Sequence, residues 1–263
     1  MSNDLGLPPR FEVRRLRLEH RRWAAAIVAH SNMSSAPIWP RAYPENITAR
    51  CLQIFNNAEP LVTHRIESGM CFGVFDKEYN FKRPESAQTG GALYWDANDT
   101  TAPMDQLLEQ MDFPLVSVAI SYDYFTRFEV ERPIQYVNAL PLFPRLSAGV
   151  DAIKKFDTPA AAGEVLSRSS TCTRDDYTGH GIMTKLAHYL MREAASEGYR
   201  EIIVDSSHDA VTRVWANPPS PFKGEKLCEV NVKDFEEEKG PDGKVFKFDH
   251  IDQLFTRIRV TLK

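Results

Sequence analysis

The 263 residues include only four cysteines, Cys51, Cys71, Cys172 and Cys228, far apart and in no CxxC pair. That scarcity excludes a dense disulfide scaffold and a zinc knuckle. Free thiols in a reducing, cytoplasmic setting are the expectation. Long apolar runs are missing too. No stretch approaches the roughly 18 consecutive apolar residues that a membrane-spanning helix needs. No apolar amino-terminal segment is present to direct export, so the acceptor-like tripeptides at Asn32, Asn46 and Asn98 are expected to be chance matches. An excess of either charge is also lacking. The 32 basic and 36 acidic residues leave a net charge of −4, which offers no field to gather nucleic acid or an anionic membrane. The run Arg14, Arg15, Arg17, Arg21, Arg22 is interrupted by Glu12 and Glu19 and reads as a solvated face. His64, His188 and His250 have no ligand spacing, so no metal site is expected.

No internal repeat and no compositional break divides the chain. The expectation is a flexible lead-in over residues 1–10, where Gly6, Pro8 and Pro9 cluster, followed by a single domain with insertions over 11–263. Periodicity predicts a strand opening at Phe11, a helix from about Glu19, a second helix from about Glu45 to Asn57, and strands at Met70–Phe75 and Ala92–Trp95. Val116, Val118, Ile120, Tyr122 and Tyr124 alternate with smaller or polar residues, the pattern of a half-buried strand. Phe128–Val137 reads as an edge strand because of Pro133. Leu146–Phe156 reads as a helix. Leu227–Val232 and Phe255–Leu262 alternate as strands around an acidic, turn-rich segment, Asp234–Gly243.

The informative segment is 164–216. Val165–Thr173 suits a strand, and Arg174–Gly181 is a loop with two glycines one residue apart. Ile182, Leu186, Tyr189, Leu190 and Ala194 then recur at helical spacing, with Gly198 as a carboxy-terminal cap. Ile202-Ile203-Val204 is the continuous apolar run of a strand covered on both faces. Strand, helix and strand of these lengths imply a crossover between parallel neighbours. At such a strand-to-helix junction the first amides of the helix have no intrahelical acceptor, and the helix dipole adds positive potential. Glycines let an anion approach those amides closely, so a diphosphate could be seated there without a cationic side chain.

These residues resemble the GNAT superfamily of acyl-CoA-dependent N-acyltransferases. The motif (Gln or Arg)-x-x-Gly-x-(Gly or Ala) aligns with Asp176-Tyr177-Thr178-Gly179-His180-Gly181, followed by Ile182. The approach to it aligns with Thr171 to Tyr177, Glu197–Val204 looks like the family's helix end and fifth strand, and Val13–His20 resembles its first strand and helix start. The specific match covers about fifty residues. The resemblance implies a mixed α/β fold, with a twisted, mostly antiparallel central sheet and helices on both faces. It implies an acyl-CoA cofactor, acetyl-CoA or a longer ester, contacted by Thr171, Cys172, Thr173, Tyr177, Thr178, Gly179, His180, Gly181 and Ile182. The partner it implies is an amine acceptor; charge and the lack of long apolar runs argue against nucleic acid and membrane.

Departures from the family pattern set further expectations. Asp176 takes the Gln/Arg position, so Asp175 and Asp176 put two carboxylates beside a proposed anion site. Where many members carry a leaving-group tyrosine after a pattern like Asn-x-x-Ala-x-x-Leu-Tyr, His208 to Trp215 aligns, with His208 for the asparagine and Trp215 for the tyrosine. Indole donates no proton at neutral pH. An alkyl ammonium must lose a proton before it can attack a thioester. Glu164 and His208 are the candidate bases, with Ser206, Ser207 and Tyr177 further candidates for acid or base work. Cys172 is conceivable as an acyl-cysteine nucleophile, although a small buried strand residue is the plainer expectation. The alternatives are an NAD(P)-dependent oxidoreductase, with Asp205 as the ribose-binding acid, and an acyl-CoA-binding protein without activity.

Overall fold

The computed structural model describes residues 6–128, 139–239 and 244–263. Seven strands form one sheet: β1 (Phe11–Arg15), β2 (Phe72–Asp76), β3 (Leu115–Asp123), β4 (Val165–Thr173), β5 (Glu201–Ser206), β6 (Lys223–Asn231) and β7 (Leu254–Thr261). Their order across the sheet is β1-β2-β3-β4-β5-β7-β6, and of the six neighbouring pairs only β4 and β5 run parallel. Five principal helices accompany them: α1 (Arg21–Ser34), α2 (Ile47–Glu67), α3 (Leu142–Ile153), α4 (Ile182–Ser196) and α5 (Asp209–Ala216). This is the mixed α/β architecture implied by the resemblance. The doubly wound parallel sheet that an NAD(P) oxidoreductase would need is absent from the described residues.

The sheet separates two apolar cores. On one face α1, α2 and α3 bury Ile27, Ile54, Phe55 and Leu146 against Val118, Ile120 and Phe255. On the other, α4 and α5 bury Leu186, Leu190 and Trp215 against Val74, Ala119, Leu166, Ile202 and Val204. Alternation explains the division, since successive strand residues point to opposite faces. Ile203 turns away from its neighbours and joins Tyr124, Phe156 and Val165 in a small third cluster. That two-sided burial is why β5 is apolar without interruption.

Several elements differ from the sequence expectations. The second helix continues past Asn57 to Glu67 with Pro60 inside it. Burial of Phe55, Ala58, Val62 and Ile66 along one face outweighs the backbone hydrogen bond that proline removes. The strand expected at Ala92–Trp95 shrinks to Ala92–Leu93, paired with Met111–Asp112. The helix expected at Leu146–Phe156 begins earlier, at Leu142, and ends at Ile153. The acidic segment 234–243 contributes Glu236–Lys239 to a hairpin with Lys244–Lys247. The edge strand expected at Phe128–Val137 falls almost wholly outside the described residues.

Candidate active site

The parallel strands β4 and β5 stay paired only from Val165 opposite Glu201 to Arg168 opposite Val204. Beyond that point β4 remains paired with β3 as far as Thr173, and β5 remains paired with β7 as far as Ser206. The two strands therefore part company in the middle of the sheet. A register shift in the β3–β4 ladder falls at the same place, between Ile120 and Ser121, and leaves Ser169 as the extra residue. Arg174 donates its backbone N–H to the carbonyl of Val116, and Cys172 sits directly opposite Val118. Antiparallel ladders alternate, so the main-chain groups of Cys172 turn toward β3 and those of Thr171 and Thr173 turn toward the opening.

At the top of the opening, Asp175–Tyr177 forms one 3-10 turn and the chain then enters α4 through Thr178, Gly179, His180 and Gly181, all exposed. Gly179 and Gly181 have φ of +83° and +70°, the left-handed region where a side chain is strained. A Cβ at either glycine would meet nothing within 4 Å, so the corner is not filled by the protein's own atoms. No side chain caps α4. Among the described residues, the backbone amides from Gly179 to Thr184 have no acceptor. Ile182 anchors the first turn in the core beneath.

The two neighbouring carboxylates face elsewhere. Asp176 takes two hydrogen bonds from the buried Arg174, at 3.0 and 2.7 Å, while the same guanidinium donates to the Phe113 carbonyl. Asp175 accepts from the Ser35 hydroxyl at 3.0 Å and lies 3.8 Å from His30 on α1. The repulsion expected from the sequence is thus relieved by local pairing. Arg174 is spent on that task and is not free to meet an anion. Among the described residues, the exposed His180 and Lys185 lie on the loop and the first turn of α4, and Arg10 lines the cavity beside Tyr177 and His180.

Tyr177 donates its hydroxyl to Asp76 at 2.8 Å, and Arg10 holds the same carboxylate. Burial and the Asp76 charge push the phenol well above its ordinary range, so it keeps its proton. An open cavity of about 450 Å³ lies beside it, lined by Pro8, Arg10, Phe11, Asp176, Tyr177 and His180. Cys172 points to the α1 face, beside Ser31, and burial pushes its thiol up to about 11. A thiol held protonated there is no nucleophile at neutral pH. Thr173 shares a 2.8 Å hydrogen bond with Ser117.

The candidate bases lie at opposite ends of the parallel pair. Glu164 precedes β4, accepts from the Ala160 amide at 2.9 Å and lies 3.6 Å from Arg200. Parallel strands end on the same side, so the glycine loop after β4 and His208 after β5 share the opposite rim. His208 is exposed and caps α5, its Nδ1 accepting from the Ala210 amide at 3.1 Å. Ser206, buried at the end of β5, donates its hydroxyl to the His208 carbonyl. Asp205 is bound through both carboxylate oxygens by Arg257, at 2.8 and 2.7 Å, leaving no free edge for a ribose.

Three buried polar atoms around the opening, Arg168 Nε, Thr171 Oγ1 and Trp215 Nε1, lack a hydrogen-bond partner, and of their residues only Arg168 was not singled out from sequence. Arg168 and Thr171 lie opposite Ser121 and Ala119, two residues apart on β3, and so face the same side, that of α4 and α5. Trp215 comes from α5 and is wholly buried, with the Arg168 guanidinium 5.8 Å from its ring centroid. A buried arginine in a strand gives no periodicity signal of its own, which is why pattern reading passed over it. Among the described residues there is no cluster with metal-ligand character and no helix long and apolar enough to cross a membrane.

A twisted antiparallel sheet that splits between its one parallel pair, with a glycine-led helix start at the split, is the GNAT fold. Solved structures share it. The C-terminal condensation domain of Ebony, in complex with beta-alanyl-dopamine, superposes with a TM-score of 0.64 at 16% identity, covering 95% of this chain and 99% of that one. Arylalkylamine N-acetyltransferase 2 from Aedes aegypti gives 0.53 at 10% identity over 96% and 99% of the two chains. An agmatine N-acetyltransferase gives 0.52 at 9% identity over 95% and 98%. Identities this low establish the fold alone. No known protein family and no curated protein matches the sequence.

Proposed function

We propose that this chain is an N-acyltransferase that moves an acyl group from acyl-coenzyme A, acetyl-CoA in the simplest case, to an amine. The observation that carries the proposal is the set of amides from Gly179 to Thr184, without an acceptor among the described residues, at the mouth of the β4–β5 opening. Solved structures with this fold include N-acetyltransferases of arylalkylamines and agmatine, and a condensation domain bound to an amine carrying an acyl group. The orphaned donors inside the opening fit a ligand that brings acceptors of its own.

Acyl-CoA supplies an activated thioester and a diphosphate. In this reading the amides of Gly179, His180, Gly181 and Ile182 hold the diphosphate, helped by the α4 dipole and by the escape of Asp175 and Asp176 to other partners. The main-chain groups of Thr171 and Thr173 orient the pantetheine arm as an added strand edge and polarise the acyl carbonyl. Tyr177, tied to Asp76, fixes the loop, and Cys172 packs behind β4. Proton acceptance from the ammonium falls to His208, which shares the rim with the glycine loop, rather than to Glu164 at the far end of β4. Accepting at Nε2 requires the Nδ1–H tautomer, so the ring gives up its bond to Ala210 as it works. A cytoplasmic setting, where acyl-CoA and reduced thiols coexist, agrees with the four free cysteines.

Thermal-shift measurements with acetyl-CoA, longer acyl-CoAs and NAD(P), followed by thiol release across an amine panel, test this. The proposal expects stabilisation by CoA esters and amine-dependent release of free thiol. Stabilisation only by dinucleotides would overturn it. Stabilisation by CoA without release for any amine would leave a binding protein in place of the enzyme.

A further inference from the structure

Two arginines flank the end of the β4–β5 pairing on opposite faces of the sheet, and their surroundings are unequal. Arg257 of β7 has two carboxylates: Asp205 at 2.7 Å and Asp151 at 2.5 Å. Arg168 of β4 has none. Its one hydrogen bond runs from Nη2 to the Asp205 main-chain carbonyl at 2.8 Å, and no acid among the described residues pairs with it. It is only 8% exposed, and its Nε is buried without an acceptor. Burial pulls its pKa down to about 10, with the nearest acid, Asp205, already bound to Arg257.

A guanidinium buried without a counter-charge costs several kcal/mol. Its place makes the cost meaningful. Arg168 is the last β4 residue paired with β5, and it reaches across to the first β5 residue beyond the pairing. It therefore lies at the apex of the opening. Trp215 Nε1 and Thr171 Oγ1, two further buried atoms without a partner, lie on the same side of the sheet, Trp215 within the α4–α5 core and Thr171 opposite Ala119 of that core. Donors outnumber acceptors here, and the charge is positive.

We propose that Arg168, with Trp215 and Thr171, forms the binding site for a carboxylate carried by a substrate, so that the enzyme is specific for an acidic acyl group or an amino-acid acceptor. This rests on the acyltransferase reading and narrows its substrate class. The planar guanidinium carries a buried Nε–H without an acceptor, a donor that a carboxylate oxygen can satisfy as it enters between the strands. A bound carboxylate would neutralise Arg168 and satisfy the orphaned donors together, which a neutral acetyl group cannot do.

The test compares wild type with Arg168→Met and Arg168→Lys, the circular dichroism and unfolding temperature of each being recorded first. One arm measures calorimetric binding of succinyl-CoA and acetyl-CoA. The other measures thiol release from acetyl-CoA with an amino acid and with its amide. Wild type is expected to favour the acidic member of one pair at least about tenfold, a loss of 1.4 kcal/mol when that preference disappears in Arg168→Met. Arg168→Lys should restore part of it. A preference in the first arm assigns the carboxylate to the acyl group, and in the second to the acceptor. Equal losses for charged and neutral substrates, or no preference in wild type, overturn the proposal while leaving acyl transfer intact. If wild type binds no CoA ester at all, the acyltransferase reading falls and takes this one with it.

Discussion

Arg174 and Asp176, two residues apart at the end of β4, are joined by hydrogen bonds of 3.0 and 2.7 Å, and this pairing keeps a carboxylate out of the glycine loop. Arg174 is fully buried between Phe113, Tyr79 and Tyr177, whereas Asp176 reaches solvent. Asp176→Asn should lower stability by about 2 kcal/mol, below the usual cost of breaking a fully buried pair because one partner is wet. CoA affinity should hardly change. Arg174→Met should lower both, since Asp176 is then free to swing toward the loop, and adding Asp176→Asn to it should recover the affinity. Calorimetry on the four members of this cycle checks the expectation.

His208 caps α5 and is the proposed base, and a single substitution can separate the observed role from the proposed one. His208→Ala removes both the α5 cap and the proposed base, at a stability cost of about 1 kcal/mol. His208→Asn keeps a good cap and removes the base. The account predicts near wild-type unfolding temperature for His208→Asn, with kcat reduced about a hundredfold or more. An unchanged kcat in His208→Asn would return the question to Glu164, whose Glu164→Gln variant is otherwise expected to be nearly neutral for kcat.

Thr171 should show opposite effects on stability and on binding. Its hydroxyl is buried without a partner, so Thr171→Val exchanges an orphaned polar atom for a methyl group of the same shape and should stabilise the free protein by about 1 kcal/mol. If the hydroxyl serves the ligand, the same change weakens acyl-CoA binding. Unfolding temperature with and without acetyl-CoA reads both effects in one experiment.

Asp76 gives a pH dependence of defined sign. Burial alone would raise its carboxyl, but the bonds from Arg10 and Tyr177 outweigh that and hold it below the ordinary carboxylate range. A group with a depressed folded pKa contributes stability above its unfolded value, near about 4, and loses it as pH falls through the folded value. Unfolding temperature should therefore drop on acidification below about pH 4, and Asp76→Asn should flatten that part of the curve. Because Tyr177 leans on Asp76, the variant should also weaken CoA binding at neutral pH.

Much of the fold was legible because burial writes a period into the chain. The alternation at Val116–Tyr124, the helical spacing from Ile182 to Ala194 and the unbroken Ile202–Val204 run each reflect the faces their elements cover. The glycine pair was legible because a helix start that must stay open has little other chemistry available. The end of α2 was not, since Pro60 is tolerated only through packing against distant parts of the chain, α1 above all. The pairing of Asp175 with Ser35 spans 140 residues and leaves no trace in local sequence. Arg168 was invisible for a related reason: its significance is the absence of a partner, which exists only once the strands around it have been placed.

The binding surface proposed for the diphosphate is tested most directly by calorimetry of wild type, Gly179→Val and Gly181→Val with CoA and with pantetheine. Each substitution forces a left-handed backbone position, at about 1–2 kcal/mol, without a steric clash. Wild type should bind CoA at least about tenfold more tightly than pantetheine, and both variants should lose that difference while still folding. Equal affinity of wild type for the two ligands, or an undiminished CoA preference in both variants, would contradict the account.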